Sequence, residues 1–156
     1  MRFIALSVFI AAGVVAVSCS SARSVTEPGP SLNWGPAPAV FPVGAQMAVL
    51  SGNPAASSEF TIRLKMPDGY RIPPHTHPTD ENVTVISGTF KVGMGPVFAT
   101  DSLATLNVGG FVTAPAGHQH FAVAQGPTIV QVHALGPFAL TYVNPNDTPR
   151  AAAVRR

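Results

Sequence analysis

The stretch from Gly69 to Gly88, GYRIPPHTHPTDENVTVISG, restricts the backbone more than any other part of the chain. Pro73 and Pro74 stand directly before His75, and proline locks its own φ while steering its predecessor away from the helical region, so the chain must enter His75 extended. Side chains alternate faces along an extended strand, which points His75 and His77 the same way. Glu81 follows after a Pro78-Thr79-Asp80 turn. Two imidazoles and a carboxylate converging on one side of a sheet are donors that suit Fe, Mn, Zn, Ni or Cu better than Ca or Mg.

The remainder of the chain agrees with a β architecture. Its 156 residues, 46% of them apolar, are one domain's worth with enough material for an ordinary core. Glycines and prolines are spread through it without a repeat period, and β-branched residues cluster between them, which predicts short strands joined by tight turns and no long helix. Gln46 to Leu50 reads as a first strand. Phe60, Ile62, Leu64 and Met66 alternate with Thr61, Arg63 and Lys65, the pattern of a half-buried strand with a polar outer face. Ser87-Gly88-Thr89 reads as a hairpin turn between Val83, Val85 and the strand of Phe90, Val92 and Met94. Thr128 to Leu135 reads as a further strand, with Gln131 and His133 on one face and Val130 and Val132 on the other, and Phe138 to Val143 as the last. Pro115-Ala116-Gly117 is a turn that presents His118-Gln119-His120. Those two histidines are again two apart, so spacing leaves both open as a further ligand.

At these positions the chain resembles the cupin superfamily. The first cupin motif is glycine, five residues, His-x-His, three or four residues, Glu, six residues, glycine; Gly69, His75, His77, Glu81 and Gly88 fit it without a gap. The second is glycine, five residues, Pro-x-Gly, two residues, His, three residues, Asn; Gly109, Pro115, Gly117 and His120 fit, and Ala124 replaces the closing asparagine, which is not a metal ligand in the family. The resemblance covers roughly Ser58 to Tyr142 and implies an all-β fold, a single cupin-type double-stranded β-helix or jelly-roll barrel. It implies a metal site of His75, His77, Glu81 and His120, choosing His120 over His118, for one divalent transition metal of unspecified identity. His118, His133, Phe90 and Tyr142 are expected around the substrate pocket, His118 at its rim. For His133 a contact with substrate requires the polar face to look into the barrel; a hydrogen-bonded structural role is the alternative.

The expected organisation is a signal peptide over 1–22, a Pro/Ser/Gly-rich linker or arm over 23–38 in which Trp34 docks, a cupin barrel over 39–146 and a tail over 147–156. The leader begins with Arg2, runs apolar from Phe3 to Val17, short of the ~20 residues of a membrane span, and ends in small residues. Ala16-Val17-Ser18-Cys19 also resembles a bacterial lipoprotein signal, with Cys19 the only cysteine. The expected location is therefore the periplasm or, lipid-anchored, the bacterial cell envelope. Arg2, Arg150, Arg155 and Arg156 account for much of the positive charge, and no basic face is interleaved with aromatics, so nucleic acid is not expected as a partner. A small-molecule ligand is, and a homodimer is plausible from the way such arms pack in related cupins. Three functions fit: a dioxygenase-type oxidoreductase using Fe(II) or Mn(II) on a small organic substrate, a non-catalytic metal- and ligand-binding cupin, or a metal-dependent isomerase, lyase or hydrolase. No catalytic acid, base or substrate-clamping arginine is assigned, because the rest of the pocket reads as apolar.

Overall fold

The structure, a computed structural model, describes residues 31–149. The leader, Cys19, the start of the linker and the tail beyond 149 lie outside the described residues. Nine strands form one curled antiparallel sheet: β1 (Gly35–Pro36), β2 (Gln46–Ser51), β3 (Glu59–Met66), β4 (Arg71–Thr76), β5 (Glu81–Met94), β6 (Ala104–Leu106), β7 (Phe111–Ala114), β8 (His120–Leu135) and β9 (Thr141–Tyr142). The path β1-β2-β3-β8-β4-β9 is joined through β8 to β5, which also carries β6 and β7. This is the all-β jelly-roll barrel implied by the sequence. Among the described residues no helix is long and apolar enough to cross a membrane.

β3 behaves as its alternation requires. Phe60, Ile62, Leu64 and Met66 are buried while Glu59 and Lys65 face solvent, and full burial of each such apolar side chain contributes about 1.5–3 kcal/mol. Trp34 is half-buried, with the Lys65 ammonium 5.7 Å from its ring centre. Such contacts suit a polar-tipped aromatic at a barrel surface.

The expected hairpin at Ser87-Gly88-Thr89 is not there. β5 runs unbroken through it and pairs along its whole length with β8, residues 81–87 against 129–134 and residues 89–94 against 120–125. The register slips on either side of Ser87, between Val85 and Ser87 and again across Gly88, and the buried positions change phase with it, from Glu81, Val83 and Val85 to Phe90 and Val92. A one-residue bulge does this: it flips the strand's faces and sharpens its bend. β8 bends at the same level, where Gly126-Pro127 drops out of the ladder and proline can sit without withholding a donor. Gly88, at φ +78°, packs so closely on this bend that a Cβ would meet the Pro127 carbonyl oxygen and lie 2.6 Å from Thr128 Oγ1. The Thr128 hydroxyl is 3.0 Å from both Thr89 O and Gly126 O and ties the two bends together. The segment expected as a separate strand from Thr128 is therefore the second half of β8, and the last strand is confined to Thr141–Tyr142.

Candidate metal centre

β4 delivers His75 through the two prolines. Pro73 and Pro74 have no N–H to donate, and the β4–β8 ladder is irregular between Ile72 and His75. Their carbonyls remain useful: Pro73 O accepts the His75 Nδ1–H at 2.7 Å and Pro74 O accepts the Val143 N–H at 2.9 Å. His75 sits opposite His120 on β8 and opposite Tyr142 on β9, and its ring centre is 4.2 Å from that of His120. His77 lies just past β4, where its carbonyl accepts the Gly117 N–H at 2.9 Å and joins the two motif turns. Its ring stacks on Phe138 at 4.8 Å, and its Nδ1–H donates to Ala139 O at 2.7 Å. His120 opens β8 and donates its Nδ1–H to His118 O at 3.0 Å. Glu81 opens β5 between Ala114 and Ala134 on the flanking strands, two small side chains that leave room for a carboxylate. The loop between His77 and Glu81 is held by Asp80, which accepts the Ala116 N–H at 2.8 Å, and by the Thr79 hydroxyl, which donates to Leu135 O at 2.6 Å.

Each imidazole thus spends Nδ1 on a carbonyl, which can only accept. The proton is fixed on Nδ1 and the Nε2 lone pairs are aimed inward. The ligating atoms of His75, His77 and His120 lie within 4.8 Å of one another. Glu81 Oε2 is 3.5 Å from His77 Nε2 and 3.4 Å from His120 Nε2, too far for short hydrogen bonds. All four residues are buried, and the Nε2 atoms of His77 and His120 have no hydrogen-bond partner. Buried, unpartnered lone pairs beside a buried carboxylate are costly unless a cation sits among them. The donor set fits a divalent transition metal.

The charges are strongly perturbed. Burial pushes the His75 imidazolium down to about 3, helped by repulsion from His120 and His77. Burial also opposes charge on His77 and Glu81. The Glu81 carboxylate overcomes that cost and raises His77, and the His120 and His77 imidazoles overcome it and hold Glu81 well below the usual carboxylate range.

The four residues face a cavity whose other lining is apolar, with Phe41, Leu64, Met66, Ile72, Val83, Phe90, Val92, Val112, Val130 and Val132 among its walls. Only about 20 Å³ is left for the centres of water-sized molecules, enough for a water or two. Of the residues expected around the pocket, Phe90 lines it. Tyr142 packs beside His75, with ring centres 6.3 Å apart, and donates its hydroxyl to Val40 O at 2.8 Å. His118 is exposed outside the cavity. His133 is exposed on the outer face of β8, where its Nδ1 is 3.1 Å from the Thr61 hydroxyl. Its face turned outward because Thr61 and Arg63 on β3 offer polar partners there, Arg63 donating to Gln131 at 3.2 Å, while Val130 and Val132 fill the interior. Arg71 points out and covers Phe98.

Phe41 and Phe138 were not singled out from sequence. Phe41 lies in a Pro/Val-rich stretch with no period to give it a face. The stacked Phe138–His77 pair joins segments far apart in the chain.

No curated protein matches the chain. Among solved structures it resembles a candidate acetylacetone dioxygenase from Methylibium petroleiphilum PM1, at 21% identity and TM-score 0.58 over 83% of this chain and 90% of that one. The DMSP lyase DddQ from Ruegeria pomeroyi DSS-3 matches at 21% and 0.58, over 78% of this chain and 64% of its own. The polyketide cyclase RemF from Streptomyces resistomycificus matches at 20% and 0.54, over 67% and 75%. At such identities these likenesses concern the fold. The ChrR cupin-like domain family matches residues 27–139. With that match spanning most of the barrel and both histidine-bearing turns, the chain belongs to the ChrR cupin-like family of the cupin superfamily.

Proposed function

We propose that the protein is an exported metal-dependent oxidoreductase of dioxygenase type, acting on a small, largely apolar organic substrate. The observation that carries this reading is the convergence of three imidazole Nε2 atoms and the Glu81 carboxylate on a buried apolar cavity. His75, His77, His120 and Glu81 would hold the metal, which when bound supplies Lewis acidity and redox chemistry toward dioxygen and substrate. The chain's own contribution is orientation and exclusion of water. Pro73, Ala139 and His118 carbonyls pin the three rings, and the valine, leucine and phenylalanine walls lower the local dielectric. His75 remains a neutral donor at any ordinary pH because burial opposes its charge. The likeness to a candidate acetylacetone dioxygenase is compatible with this chemistry. Oxygen uptake by the Fe(II)- or Mn(II)-loaded chain with a panel of diketones, thiols and phenols tests it; uptake abolished in His120→Ala supports it, and no uptake across the panel counts against it.

A second reading is favoured by the bareness of the wall. Apart from the four predicted ligands, the cavity lining offers no acid, base or cation, as expected of a cell-envelope cupin that binds a metal and a small apolar ligand without turning it over. Turnover without oxygen would point instead to an isomerase, lyase or hydrolase. Export rests on the leader reading of residues 1–22; intact-mass analysis of the membrane fraction distinguishes cleavage before Arg23 from lipidation of Cys19.

A further inference from the structure

One part of the cavity wall, at Phe41, lies outside the strand ladder. Residues 37–45 form a surface loop whose base is closed by the Ala37 N–H donating to Ala45 O at 3.0 Å. Pro38, Ala39, Val43 and Gly44 face solvent, Val43 being 88% exposed, yet Phe41 at its middle is 4% exposed and lines the cavity. Phe41 stacks on Phe138 at 6.4 Å, and Phe138 stacks in turn on His77. The two carbonyls that flank Phe41 are each held by a tyrosine of the barrel: Tyr142 donates to Val40 O at 2.8 Å and Tyr70 donates to Pro42 O at 2.5 Å. Burial raises both phenols, Tyr142 to about 12, so both stay donors.

We propose that this loop is the gate of the cavity, with Phe41 as its removable wall and the Tyr70 and Tyr142 hydroxyls as its latches. Closed, it leaves room for water or a diatomic molecule only; a substrate of several heavy atoms reaches the imidazoles when Phe41 swings out. Phe41 then limits which ligands enter, and the latches limit how often. The loop suits this role because Phe41 and Ala45 alone among its residues are buried and the two tyrosine hydrogen bonds tie its middle to the barrel, and segments with few buried contacts open without the rest of the fold. Tyr142 also pairs with His75 across the sheet, so release of its latch is felt beside a predicted metal ligand. The gate is independent of the redox assignment, though it deepens the reading of the cavity as the site of action.

The test is residue-resolved carbethoxylation of histidine with diethylpyrocarbonate, read by mass spectrometry on the full chain kept in chelator. His118 and His133, both exposed, are the internal reference. In Tyr70→Phe/Tyr142→Phe the rates at His75, His77 and His120 rise about tenfold or more, as loss of two neutral hydrogen bonds requires, and the reference rates do not change. Phe41→Ala gives a similar rise, and the tyrosine variants carry the test if it fails to fold. In the wild type the rate at the three buried imidazoles stays flat in low urea, because local opening exposes little surface. Unchanged rates in the double variant, or a wild-type rate that climbs with the urea slope of global unfolding, overturn the gate. Metal content per chain, measured separately, reports on the metal reading alone, so the two fail distinguishably.

Discussion

Gly88 and Gly69 both stand in the first histidine-bearing motif at positive φ, +78° and +71°, and substituting each by alanine separates two reasons for a glycine. A Cβ on Gly69 would meet nothing within 4 Å, so Gly69→Ala carries only the left-handed backbone cost of about 1–2 kcal/mol. A Cβ on Gly88 would press on the Pro127 carbonyl and lie 2.6 Å from Thr128 Oγ1 and 2.9 Å from Thr128 Cα. Two of those three neighbours are backbone, which cannot rotate aside, and the third is the hydroxyl that bridges the bends of β5 and β8. Overpacking of this kind costs about 1–3 kcal/mol in addition, placing Gly88→Ala at roughly 2–5 kcal/mol by adding the two costs. Urea unfolding of the full chain in chelator measures both, with a slope of about 1–3 kcal/mol/M expected for a small domain. Gly88→Ala should therefore unfold about 1 M earlier than Gly69→Ala at an unchanged slope. Equal midpoints would refute the close approach and leave backbone freedom as the only demand on Gly88.

At the site, His120→Ala removes one inward lone pair and the ring beside His75, and metal content after dialysis should fall from about one ion per chain to a small fraction of that; retention at full stoichiometry would exclude His120 as a ligand. Ala134→Val places two methyl groups beside Glu81 in the ladder and should weaken metal retention more than it lowers the urea midpoint, measured by competition with a chromogenic chelator. The metal-free chain should lose stability on acidification: folded His75 titrates at about 3 against an ordinary value of 6.5, so between those values the unfolded chain binds a proton the folded one does not, costing on the order of 3 kcal/mol by pH 4. His77 acts in the opposite sense, its contribution being complete below 6.5 and lost as pH rises through its raised folded value, while that of Glu81 is present above 4.5 and lost only as pH falls through its depressed one. Urea midpoints at pH 7, 5.5 and 4 check the sum; a midpoint that rises toward pH 4 would contradict the burial of a neutral His75.

How much of this was legible in sequence follows from what local order can encode. The alternation of Phe60, Ile62, Leu64 and Met66 gives both the strand and its buried face, because period two is a property of one segment. The phase of His75 and His77 is legible for the same reason, sharpened by two prolines. Ser87-Gly88-Thr89 misleads because a reversal and a bend within a strand use the same glycine. The difference lies in β8, whose Gly126-Pro127 bend arrives some forty positions later and keeps the two halves of β5 on one partner. His133 is ambiguous in another way: alternation with Val130 and Val132 divides the strand into two faces, and only the polar side chains of β3 across the ladder decide which one meets solvent. Phe41 carries no periodic signal at all, since its neighbours are prolines and valines in an irregular loop. Strand phase is thus written locally, while the choice of partner is written far away. It follows that the predicted ligands, which sit on strands or directly beside them, can be found from spacing, whereas the part of the cavity wall that Phe41 supplies lies outside any strand and becomes visible only when Tyr70 and Tyr142 are seen holding the carbonyls on either side of it.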